Sequence, residues 1–162
     1  MKKILLTMLL LAASSIAFVS CKSDDNTATP TYSSAKVYDF SADTVGYGTH
    51  YALFSFSDTA RVSLEDSATT KWDVGFMMTR IILNSGLRGP GGVEVAILSN
   101  TSFSDVKQAP TTGFVADTSL TAMAIPYGSG KGWYTYNGET HLISPIAGKI
   151  FVFKIGNGKY VK

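Results

Sequence analysis

From Tyr51 onward, apolar and polar residues alternate in short runs and do not recur at helical spacing. In Tyr51 to Ser57, Phe54 and Phe56 alternate with Ser55 and Ser57, a period of two that predicts a half-buried strand. Arg61 to Glu65 repeats the pattern, with Val62 and Leu64 set against Arg61, Ser63 and Glu65. In Trp72 to Met78 the alternation puts Trp72, Val74, Phe76 and Met78 on one face and Asp73 and Gly75 on the other, so Met78 reads as core. Val93 to Leu98 adds a strand, and Ile150 to Ile155 is apolar enough to be buried on both faces. Asn137-Gly138 separates Trp133–Tyr136 from Thr140–Ile143, and Asn157-Gly158 follows Ile155. Asn-Gly supplies the positive φ angles of a two-residue hairpin turn. No stretch reads as an amphipathic helix, so the expected fold class is all-β, with antiparallel sheets and hairpins in a single domain. Only Lys159 to Lys162 follow the second Asn-Gly, the low end of usual strand length. They form either a short edge strand or part of a fold that lacks its C-terminal strand; the latter is the expectation.

The N-terminus carries a different pattern. Lys2 and Lys3 precede Ile4 to Val19, a run without charge. That run is shorter than the roughly 20 residues of a spanning helix, and its basic head and small residues before the cut describe a secretory signal. Cys21 follows directly after Phe18-Val19-Ser20 and is the single cysteine of the chain. With no disulfide partner, it is better explained as a lipidation site exposed by cleavage. Residues 1–20 are therefore expected to be a signal peptide and 21–35 a lipidated tether, rich in Ser, Thr, Asp and Asn and too polar to pack. Residues 36–162 are left as the folded domain. Lys22-Ser23-Asp24-Asp25 resembles the surface-export signal of some Gram-negative lipoproteins. The expected location is the outer membrane, lipid-anchored and facing outward.

Removing the signal changes the charge. The whole chain has 14 Lys+Arg and 12 Asp+Glu. Without Lys2 and Lys3 the mature protein is formally neutral and has no basic cluster, which argues against nucleic-acid binding driven by phosphate neutralisation. Catalytic signals are also lacking. His50 and His141 stand alone without zinc-ligand spacing, and there is no Gly-x-Ser-x-Gly elbow or calcium loop. Gly86-Leu87-Arg88-Gly89-Pro90-Gly91-Gly92 runs into a strand and lacks the Gly-Lys-Ser/Thr of a phosphate loop, so it reads as a long mobile connection. An enzyme is not expected.

Several segments together resemble the HmuY-like haem-binding lipoproteins. They are Tyr51–Ser57, Lys71-Trp72-Asp73-Val74-Gly75-Phe76, Ile82–Gly86, Gly132-Trp133-Tyr134-Thr135-Tyr136 and Lys149–Lys154 with Asn157-Gly158-Lys159. The resemblance covers nearly all of the chain from about Lys36. It implies a surface lipoprotein that captures haem or a porphyrin and hands it to an outer-membrane receptor. It also implies two axial side chains on the iron, one before the Gly-Trp motif and one a few residues after its Trp. The second position falls at Asn137-Gly138, where neither residue is a useful ligand, and His141 is the nearest substitute. Before Gly132 the candidate is Met123, the only Met or His between Val93 and Gly132. Tyr134 and Tyr136 are candidate pocket walls. Each has a plainer reading: Met123 as core filler among alanines and Ile125, His141 as a solvent-facing or core-satisfied residue, and the tyrosines as cross-strand packing. His50 reads as a surface residue. The alternative function is a surface interaction or other-ligand-binding module that kept the scaffold without haem ligation. Whether Met123 and His141 face one cavity discriminates the two.

Overall fold

A computed structural model describes Val37, Phe40 and residues 49–162. The expected signal peptide, the expected lipidation site Cys21 and the expected tether lie outside the described residues.

Nine strands form three antiparallel units, and there is no α-helix among the described residues. The first sheet holds β1 (Ala52–Ser55), β2 (Ala60–Val62), β3 (Val74–Met77) and β4 (Arg80–Leu83), in the order β2-β1-β3-β4. The second holds β5 (Glu94–Leu98), β8 (Ile150–Lys154) and β9 (Tyr160–Val161), in the order β5-β8-β9. Between them in sequence, β6 (Tyr134–Asn137) and β7 (Leu142–Pro145) pair only with each other. The all-β expectation therefore holds.

The main core lies between the two sheets. Phe54, Val74 and Leu83 of the first pack with Val95 and Phe153 of the second, joined by Val93, Ile125 and Ile155. Register accounts for this: Phe54 pairs with Val74 and Val74 with Leu83, and directly paired residues share a face. The opposite face of the first sheet carries Leu53, Gly75 and Ile82 in one register row. There Leu53 and Ile82 cluster with Trp72, and Tyr51, Val62 and Met123 pack against them. Behind the second sheet, Val152 packs on Val106 and Ala109. Because Val152 and Phe153 point to different clusters, β8 is covered on both faces, as its unbroken apolar run predicts.

Several local expectations need correction. Trp72 does not share a face with Val74 and Phe76, because Asp73 and Val74 both stand against Phe54. Asp73 N–H donates to Phe54 O at 2.8 Å while Val74 holds the paired position, a bulge that resets the alternation. Met78 is not core. The Met77–Arg80 pair closes a hairpin whose two turn residues are Met78 and Thr79, and Met78 sits at φ 51° with 68% of its surface exposed. The strand Arg80–Leu83 begins there and carries no alternation that could announce it. Arg61 to Glu65 is strand only to Val62; Leu64–Asp66 is a 3-10 turn capped by Ser63.

The hairpin at Asn137 is wider than a two-residue turn. Asn137 pairs with Leu142, leaving Gly138 to His141 as a four-residue loop, and the positive φ falls on His141 at 56°. At the second Asn-Gly, Gly158 N–H donates to Ile155 O and Tyr160–Val161 pairs with Phe153 and Lys154 as a two-residue edge strand.

The glycine-rich segment is a close-packed wrap, not a loose connection. Asn84 is fully buried, and its Nδ2 donates to Thr69 O and Trp72 O while its Oδ1 accepts from Gly91 N–H. A Cβ on Gly89 would come within 2.1 Å of Asn84 Oδ1, and one on Gly91 within 2.6 Å of Asn84 Cγ. Glycine is needed here for close approach.

Asp73 has a further consequence for stability. The residue is 8% exposed, burial raises its pKa, and the Phe56 N–H donated to Oδ2 opposes that rise only in part. Below the ordinary carboxylate value the acid is neutral in both states and exacts nothing. As pH rises through that value towards the raised folded one, ionisation costs stability, and the penalty is complete above it. Asp73→Asn keeps an acceptor for Phe56 N–H and removes the charge. Its melting temperature is expected to vary less with pH than that of the wild type across this window, and to be no lower at neutral pH. A variant markedly less stable at neutral pH would show that the carboxylate is instead held by favourable contacts.

Candidate functional site

The segment that carries Met123 is an excursion from the second sheet. Val115 bridges to Val95, and from there the chain turns inward at Asp117, which is fully buried. Asp117 Oδ1 accepts from Ala124 N–H at 2.7 Å and its Oδ2 from Leu83 N–H at 3.1 Å. One carboxylate thus ties both ends of residues 117–124 to the end of β4. Within the loop, Thr118 N–H donates to Ala122 O and Ala122 N–H to Ser119 Oγ. Arg88 completes the arrangement. Its Nε lies 3.2 Å from Asp117 Oδ2, an ion pair without hydrogen-bond geometry, and its Nη2 donates to Leu120 O. A charge pair this deeply buried is stable only while both partners are present.

Held in this way, Met123 is half-buried, lying against the Leu53–Trp72–Ile82 cluster and lining a cavity of about 520 Å³. Leu120, Pro126 and Tyr127 supply apolar walls, and Arg80 and Lys131 bring two cations to it. The Arg80 guanidinium stacks 4.5 Å above the Tyr127 ring. Leu120 and Tyr127 remain 64% and 47% exposed. The volume is within the range of small-molecule sites.

The other candidates sit on the β6–β7 hairpin. Trp133 Nε1 donates to Thr79 O, and Thr79 Oγ1 donates to the Tyr134 hydroxyl, so the root of the hairpin is pinned to the β3–β4 turn. Tyr134 is buried in that joint and does not line the Met123 cavity. Tyr136 is 47% exposed, and its hydroxyl lies 2.6 Å from His141 Nδ1. His141 is exposed at the end of the turn and is likewise absent from the cavity wall. His50 is an exposed residue beside Thr49, as expected. The structure thus brings Tyr136 and His141 into contact, and neither lines the cavity of Met123.

A comparison with protein families settles the relationship. The family model described as HmuY protein matches residues 48–162. The chain belongs to the HmuY family. No curated protein matches it. Membership in the HmuY family points to a function related to haem binding. No group of three or more His, Cys, Asp or Glu that could hold a metal ion exists among the described residues. No helix among the described residues is long and apolar enough to cross a membrane.

The residues that fit a haem are mixed in kind. A thioether suits haem iron, two cations suit a porphyrin's carboxylates, and an aromatic wall suits its flat face. Sequence reasoning found Met123 but missed Arg80, Leu120, Tyr127 and Lys131, and also the positioning residues Arg88 and Asp117. They come from separated stretches of chain, and none has a local motif.

Proposed function

We propose that this chain is a lipid-anchored protein of the outer membrane surface that captures haem and passes it to a receptor in that membrane. The observation that carries the reading is the Met123 cavity, in which a soft ligand, an aromatic wall and two cations converge in a member of the HmuY family. Met123 is the proposed axial ligand on the cavity side, with Arg80 and Lys131 neutralising the propionates. No second axial ligand is assigned, because His141, whose Nδ1 is engaged by the Tyr136 hydroxyl, does not line this cavity. Cys21 as the lipidated residue and Asp24-Asp25 as part of an export signal support the proposed location.

A second reading rests on one observation: His141 does not line the cavity of Met123. On that reading the domain binds an apolar ligand or partner without ligating iron.

Titration of the soluble domain with haem, followed by visible absorbance in both oxidation states, separates the two. Haem capture predicts a sharpened Soret band. Met123→Ala is expected to weaken affinity by about tenfold or more, the loss of roughly 1.4 kcal/mol, and His141→Ala, outside the cavity, to leave it unchanged. A broad, free-haem-like spectrum from folded protein would favour the second reading.

A further inference from the structure

The chain contains two Asn-Gly dipeptides, Asn137-Gly138 and Asn157-Gly158, and the fold treats them very differently. Asn-Gly is the dipeptide most prone to cyclise, because glycine offers no side chain to obstruct attack of its backbone nitrogen on the asparagine amide carbon. The reaction needs a free nucleophilic nitrogen, stabilisation of the developing charge on the amide oxygen, and a leaving amide that is not held.

At Asn157 the fold opposes each requirement but one. Gly158 N–H donates to Ile155 O at 2.8 Å, so the nucleophile is engaged. Asn157 Nδ2 donates to Ser57 Oγ at 3.2 Å, so the leaving group is held. Its Oδ1 accepts a single N–H, from Lys159 at 3.0 Å.

At Asn137 all three are met. Among the described residues, Gly138 N–H donates to no group, and neither does Asn137 Nδ2. Two backbone N–H groups converge on Oδ1, from Glu139 at 2.9 Å and Thr140 at 3.1 Å. Such a pair stabilises an oxygen that gains negative charge during acyl transfer. Both residues are exposed, and nothing lies within 4 Å of the position a Cβ on Gly138 would take.

We infer that Asn137 is a self-modification site, at which the β6–β7 turn converts asparagine to aspartate and isoaspartate. Gly138 nitrogen loses its proton to solvent and bonds to Asn137 Cγ. The Cγ–Nδ2 bond breaks, and Nδ2 takes up a proton and leaves as ammonia, giving a cyclic imide. Water opens the imide at either carbonyl. One water is consumed and one ammonia released, with no change of oxidation state. The product places a new carboxylate beside Glu139. Its isoaspartate form lengthens the backbone at the Asn137–Leu142 pair, next to the Tyr136–His141 contact. The turn thereby records the age of the folded molecule, independently of any ligand.

The test incubates the purified protein, folded and in concentrated urea, and locates deamidation by peptide mass spectrometry with separation of isoaspartate. In the folded protein Asn137 is expected to convert about tenfold or more faster than Asn157. In urea the two rates are expected to converge, since only the fold distinguishes the dipeptides. Equal rates in the folded protein, faster loss at Asn157, or no conversion at Asn137 while the urea sample reacts would each overturn the inference.

Discussion

Replacing Asp117 with alanine is expected to cost about 3–5 kcal/mol of folding stability, the range for breaking a buried ion pair from one side. The change removes the counter-charge of Arg88, whose side chain is only 10% exposed and keeps just the Leu120 carbonyl and the Tyr51 ring face. It also leaves the N–H groups of Leu83 and Ala124 without their acceptors. The effect should appear as a lower urea midpoint with little change in slope. Removing Arg88 at the same time should recover part of the loss, because the stranded charge goes with it. A loss below about 1 kcal/mol would mean that water reaches the pair and that Asp117 acts as an ordinary surface acid. Since Asp117 also closes the segment bearing Met123, haem affinity should fall in the alanine variant under conditions where it is still folded.

Asn84→Ala is the second large effect. Three hydrogen bonds within one fully buried side chain disappear, leaving Thr69 O, Trp72 O and Gly91 N–H to find other partners. At about 1–3 kcal/mol for each buried group left unsatisfied, a total near 3 kcal/mol is expected after partial relaxation. Asn84→Asp makes the sharper test. It preserves the shape but turns a carboxylate towards two carbonyl oxygens, so it should be at least as damaging as alanine. Chemical denaturation of the two variants checks this. If the aspartate variant were as stable as the wild type, the glycine wrap would not depend on the Asn84 donors.

Read as pattern alone, the chain already specifies much of this fold. Period-two alternation located β1, β2 and β3, Asn137-Gly138 marked the β6–β7 hairpin, and the continuous apolar run Ile150–Ile155 announced a strand covered on both faces, because each signal depends only on neighbours a few residues apart. Failures came where a single residue changed the geometry. The bulge at Asp73 moved Trp72 to the other face. The tight turn at Met78 turned an apparent core residue out to solvent and began β4 without an alternation of its own. Nothing in the composition of either segment encodes these events; they follow from pairing with β1 and β4.

The site divides in the same way. Met123, Tyr136 and His141 were legible as residue types with the right chemistry, and family resemblance pointed to haem. What brings Arg80, Tyr127 and Lys131 to Met123, and buries Arg88 on Asp117, is contact between segments tens of residues apart. A buried carboxylate looks like any other aspartate until the fold removes its water. The sequence by itself thus determined the all-β class, the family and the ligand chemistry on offer. Only the tertiary structure decided which of those side chains share a cavity, because convergence in space has no period along the chain.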